Sequence, residues 1–132
     1  MPRLIKLLDP RGAKLVFLVL AAVLNVAWVL VFFDLIDSQI MRYGERFTGV
    51  DTTLMLGVFI GSLSIGFVLS RLAKDRRGIT YGLYGGLAGL IAIAILLRES
   101  GVLLGLVGLV AVLGGYNGGM LGEVSQLPRR RN

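Results

Sequence analysis

The chain has 132 residues, 55% of them hydrophobic, and a mean hydropathy of +0.80, more apolar surface than one soluble core of this size can hide. It contains no Cys and no His, which removes disulfides, a thiol nucleophile, an imidazole base and the usual soft metal ligands, so no cofactor or metal is expected. The formal net charge of +6 does not point to nucleic acid, because the cations punctuate long apolar runs instead of forming an aromatic-interleaved face.

Four apolar runs follow in chain order, about 15–33, 53–70, 80–97 and 102–122. Each can cross a bilayer; at about 1.5 Å per residue the first reaches about 28 Å, close to the hydrocarbon thickness. The first run follows basic residues as a secretory signal would, yet it is too long for a signal's apolar region and no small-x-small cleavage site follows Phe33. It reads as a retained anchor. Ahead of it, Leu4, Ile5, Leu7 and Leu8 with Arg3 and Lys6 suggest a short interfacial segment. The expected fold is a single all-α membrane domain: four transmembrane helices in an antiparallel bundle.

Within the first run only Asn25 and Trp28 are distinctive. Ala21, Asn25 and Trp28 follow steps of 4 and 3 and predict the inward edge of that helix, with the indole filling space opposite a glycine groove. Between the first and second runs, Ile36, Ile40, Tyr43 and Phe47 keep a helical stripe, so either the first helix continues beyond the membrane or a short helix lies on its surface. Gly44 or Gly49 could end that helix, and Asp51 or Thr52 could cap the next. "RLAKDRRG" reads as a cation-rich helix end with Gly78 as its left-handed stop, and "RESG" as a tight turn.

Charge orients the four runs. Arg3, Lys6, Arg11 and Lys14, then Arg71, Lys74, Arg76 and Arg77, then Arg129, Arg130 and Arg131 fall on one side, against Arg42, Arg46 and Arg98 on the other. The positive-inside rule places both termini in the cytoplasm of a plasma (inner) membrane. Arg71, Lys74, Arg76 and Arg77 are in addition candidate contacts for anionic lipid or a partner.

Glycine is concentrated after the first run: sixteen of the 19 lie from Gly57 onward. In the last run Gly101, Gly105, Gly108, Gly115, Gly119 and Gly122 hold a stripe with steps of 4 and 3 around Val112. Gly82, Gly86 and Gly89 repeat the step in the third, and Gly57, Gly61 and Ser64 in the second. Helices in lipid gain little from burying Leu, so such smooth faces predict packing through small residues. Ser64, Tyr84, Tyr116 and Asn117 come to similar depths in the inner halves of the spans, with Asn25 deeper, and could line a small polar cavity. The blander reading makes the tyrosines an aromatic belt and gives each amide one hydrogen bond.

No ionisable residue falls mid-span and no catalytic constellation is visible, which argues against an enzyme and against ion-coupled transport by one copy. The run "IGSLSIGFVLSRLAKDRRGITYGLYGGLAG", followed by "LGGYNGGMLG", resembles the small four-span bacterial membrane proteins of unassigned activity over about residues 54–122. The resemblance implies a compact four-helix membrane fold and no mechanism. The expected role is an accessory or assembly subunit of a larger membrane complex, or a homo-oligomer, with the bilayer and other membrane subunits or further copies as partners. The alternative is a small pore or solute-binding protein that uses the inner polar layer.

Overall fold

A computed structural model of the chain describes residues 5, 9–44, 49–96 and 102–127. Among the described residues the long helices are α1 (Leu15–Tyr43), α2 (Val50–Ala73), α3 (Gly78–Leu96) and α4 (Val102–Ser125). All four are long and apolar enough to cross a membrane, which makes this a multi-pass helical bundle. The expected N-terminal interfacial segment, the turn around Ser100 with Gly101, and the basic tail from Arg129 lie outside the described residues, apart from Ile5.

The helix ends differ from their sequence expectation in instructive ways. α1 runs on to Tyr43, ten residues past Phe33, so Ile36, Ile40 and Tyr43 of the expected stripe continue the first helix; Phe47 lies outside the described residues. It stops at Gly44, whose φ of 55° lies in the left-handed region and whose N–H bonds the Ile40 carbonyl. Neither Asp51 nor Thr52 caps α2; the cap position is Gly49, also left-handed, and both polar residues sit inside the helix. At the other end of α2 the left-handed stop is Lys74, with φ 54°, while Gly78 opens α3.

α4 lies at the centre of the packing, against both α2 and α3, and α1 rests on α2 and α3 alone among the described residues. α1 is the most peripheral helix: 17% of its membrane window is buried, against 44% for α3 and for α4. Its buried edge is Ala21, Asn25, Val29 and Ile36: Ala21 and Asn25 are as expected, but Val29 is buried where Trp28, expected there, is half-buried, and residues such as Leu15, Val16, Val19, Val23 and Val31 face away from the bundle.

The bundle is packed in two different ways along its length. One half is held by side chains: Val29, Ile36, Leu54, Val58, Ile93, Val107 and Ala111 form a contiguous apolar core, flanked by Phe32, Phe33, Val50 and Met55. The other half is held by backbone. Gly82 faces the carbonyl of Gly115, Gly119 faces that of Gly78, and Gly86 faces Ala111 and Val112, so α3 and α4 touch main chain to main chain. α2 approaches α4 as closely, with Gly114 against the Phe59 carbonyl and Gly118 against that of Leu63.

A side chain on this seam has nowhere to go, because its neighbour is peptide and cannot rotate away. The expected stripe does not run the whole helix, however. Gly105 is exposed with no neighbour within 4 Å, and Gly89 has only ordinary contacts at 3.7 Å, with Ala111 and Val29. Gly115→Ala is therefore expected to destabilise the bundle by about 2 kcal/mol or more, whereas Gly105→Ala should be neutral or stabilising by up to about 1 kcal/mol through helix propensity. Detergent melts of the two variants check this; equal losses would show that the seam does not discriminate.

Candidate functional site

Two places gather the side chains that sequence reasoning singled out. The first is the inner edge of α1. The Trp28 indole lies over Gly61 and the Phe32 ring over Gly57, and a Cβ at either glycine would fall inside the ring above it. The two rings stack at 5.6 Å with an interplanar angle of 20°. The indole Nε1 donates to the Gly57 carbonyl at 3.1 Å, a bond that satisfies the one polar atom of a residue otherwise suited to lipid. The groove expected opposite Trp28 is therefore Gly57 and Gly61 of α2. Phe32, one turn along and not singled out by sequence, is its second occupant.

Asn25 is fully buried and packs over Gly85 of α3, where its amide donates to Ala21 of its own helix at 2.9 Å. Its Oδ1 has no hydrogen-bond partner, and among the described residues the Ser62 hydroxyl shares that condition. Such a group costs about 1–3 kcal/mol.

Of the expected polar layer, Ser64 and Asn117 have contacts within their own helices. Ser64 is exposed, donates to Ile60 of its own helix at 2.7 Å, and borders an apolar groove of about 210 Å3 with Leu24, Ile65, Val68 and Leu69. Asn117 donates to Leu113 of its own helix at 2.8 Å. Tyr84 and Tyr116 are half-buried, on α3 and α4. Ser64 thus opens toward Leu24 of α1, while Asn117 turns its amide back along α4.

The second place is the end where α1 and α3 begin and α2 and α4 finish, and it is tied by polar groups. The Tyr81 hydroxyl, on a fully buried ring, accepts the Lys14 N–H at 2.9 Å and donates to the Asp75 carboxylate. Lys14 Nζ reaches the Ala73 carbonyl at 2.8 Å, one of the carbonyls left open at the end of α2. The Glu123 carboxylate accepts the Ile79 N–H at 2.9 Å, an acid from α4 placed at the positive end of α3. Gln126 donates to the Ser70 carbonyl at 2.5 Å, and the Ser70 hydroxyl to that of Gly119 at 3.2 Å.

The four cations of the α2–α3 turn do not act together. Arg77 turns toward the segment before α1, donating to Arg11 O at 2.6 Å and Asp9 O at 3.5 Å. Arg71, Lys74 and Arg76 face the other way and line a cavity of about 410 Å3 with Ser125 and Gln126. Comparison with family models, with curated proteins and with solved structures finds no match.

Two outcomes follow from this geometry. Trp28 and Gly61 should be coupled: Gly61→Ala is costly in the native chain but mild beside Trp28→Ala, giving a coupling of about 1 kcal/mol or more in a double-mutant cycle. Additive losses would mean that the indole does not occupy the groove. Asn117→Ala, which removes only a bond within one helix, should shift stability by no more than about 0.5 kcal/mol; a larger loss in the same melts would place its amide in a contact between helices.

Proposed function

We propose that this chain is a non-enzymatic scaffold of a bacterial-type plasma membrane, an accessory or assembly subunit of a larger membrane complex or a homo-oligomer. The observation that carries the reading is the use made of its polar groups. Inside the spans the Ser64, Asn25 and Asn117 donors are turned onto their own helices, while Lys14, Asp75, Tyr81 and Glu123 tie helix ends together. The Trp28 indole serves in the same way, joining α1 to α2. Such a distribution suits a protein whose task is to keep a shape.

The large outward surface of α1 supports the same reading. Leu15, Val16, Val19, Val23 and Val31 are all more than half exposed, and lipid or a neighbouring apolar helix covers them equally well. A pore or solute-binding role would need the inner polar residues to share a lumen, and Ser64 borders Leu24 and Val68 instead.

The topology belongs to the same proposal. Gly78 meets Gly119, Gly82 meets Gly115 and Gly86 meets Val112, a descending register that supports antiparallel neighbours. Lys14, Arg71, Arg77 and Gln126 converge at one end, which supports a single basic face holding the segments before α1 and after α4. By the positive-inside rule that face is cytoplasmic.

Native mass spectrometry after extraction in mild detergent tests the assembly, with a mass above the 14.2 kDa of one chain as the expected result. A lone chain that raises the permeability of liposomes would overturn it in favour of the pore. For orientation, cysteines at Ser38 and Ser100 should label from outside intact cells and one at Ser125 should not; outside labelling at Ser125 would reverse the topology.

A further inference from the structure

We propose that the α2–α3 turn and the end of α4 form a binding site for the phosphate headgroup of an anionic membrane lipid, one of whose acyl chains lies in the groove between α1 and α2. The headgroup site is the cavity of about 410 Å3 lined by Arg71, Lys74, Arg76, Ser125 and Gln126. Three of its five lining residues are cations and none is an acid, so the lining attracts a phosphate; the Ser125 hydroxyl already donates to the Gly122 carbonyl at 2.7 Å, which leaves the three cations as the main partners.

The turn sorts its charges to produce this. Asp75 sits between Lys74 and Arg76 in sequence, yet its carboxylate accepts the Arg77 N–H at 3.1 Å and the Tyr81 hydroxyl, away from the cavity. Arg77 is tied to Asp9 and Arg11 carbonyls on that same side. Lys74 and Arg76 are left for the other side, and both are held at positive φ, 54° and 57°, a conformation that non-glycine residues rarely adopt. The helix dipole alone accounts for a cation in the last turn of α2, such as Arg71, but not for two more beyond the helix end. Arg71 is itself placed, its guanidinium 5.7 Å over the Phe67 ring. Gln126 is fixed by its bond to the Ser70 carbonyl.

The neighbouring groove selects a lipid over a soluble anion. Ser64, Val68 and Arg71 follow steps of 4 and 3 and so share one face of α2. The groove of about 210 Å3 at Leu24, Ser64, Ile65, Val68 and Leu69 begins one turn from Arg71, roughly 5–10 Å deeper along the helix. A charged pocket at the helix end with an apolar channel leading inward from it matches a headgroup and its acyl chain. A free phosphate would use the first and leave the second idle.

The test titrates the full chain in mild detergent with dioleoylphosphatidylglycerol, dioleoylphosphatidylcholine or inorganic phosphate, and reads bound species by native mass spectrometry. The native chain is expected to retain the glycerol lipid about tenfold better than the choline lipid. The combined Arg71→Gln, Lys74→Gln and Arg76→Gln variant should lose that preference, whereas Arg42→Gln, near the opposite end of α1, should keep it. Val68→Trp, which fills the groove, should weaken the lipid without affecting phosphate. Melting temperatures identify which variants are folded; should the triple variant fail to fold, Arg76→Gln alone, outside both helices, is read in its place. Equal retention of the two lipids, an unaffected charge variant, or phosphate bound as tightly as the glycerol lipid would each overturn the proposal.

Discussion

The contact on which the bundle depends is the one between the backbones of α3 and α4. In a bilayer the surroundings are as apolar as the helices, so burying Leu supplies little drive, and association rests on van der Waals contact and weak Cα–H···O bonds. Those interactions fall off steeply with distance, and only the removal of side chains lets two helix axes come close enough to use them. Gly78, Gly82, Gly115 and Gly119 do this reciprocally, each facing a carbonyl of the partner helix. Once α3 and α4 are joined, α2 closes on the second flank of α4 through Gly114 and Gly118, and α1 has a surface to lean on.

That order explains which parts of the structure the amino-acid sequence discloses. The four helices follow from run length, the edge of α1 from Ala21 and Asn25, and the α3–α4 seam from the 4 and 3 steps of Gly82, Gly86, Gly115 and Gly119. What the spacing hides is that α4 has two smooth flanks. Gly114 and Gly118 sit one residue before Gly115 and Gly119, about 100° around the helix, and they face α2. A single stripe drawn through Gly105 and Gly122 merges two faces: Gly105 meets nothing, and Gly122 packs on Ser70 and the Phe67 carbonyl.

The polar residues were less legible for a related reason. Depth along a span can be counted from a sequence, but azimuth depends on which neighbour the helix chooses. Ser64 opens toward Leu24 of α1 and Asn117 bonds back along α4, a difference that depth does not encode. The tie at the basic end was readable only as a collection of span-end residues. Lys14, Asp75, Tyr81 and Glu123 come from four separate segments, and nothing in their spacing tells that Tyr81 would accept from one and donate to another. Local propensity favours a glycine stop at Gly78, whereas the left-handed residues are Lys74 and Arg76. Tertiary bonds made by Asp75 and Arg77 decide the matter instead.

α1 is bound by a different logic, which follows from its having no glycine at all. A helix of Leu, Val, Phe and Ala offers its backbone only where a small residue allows it, as at Ala21, whose carbonyl comes close to Gly85 of α3, and elsewhere it puts side chains into the neighbour's recess. Trp28 and Phe32 are the large rings that do so, and Gly57 and Gly61 supply the recess. The indole bond to the Gly57 carbonyl then fixes register along the helix, which stacking and van der Waals contact alone leave soft. At the basic end the Lys14 contacts to Ala73 and Tyr81 add a second fixed point, fourteen residues away along α1. Between these two points the helix crosses Asn25, whose buried Oδ1 is left without a bond. A helix pinned at two places with an unsatisfied group between them is the weakest-held element of the bundle.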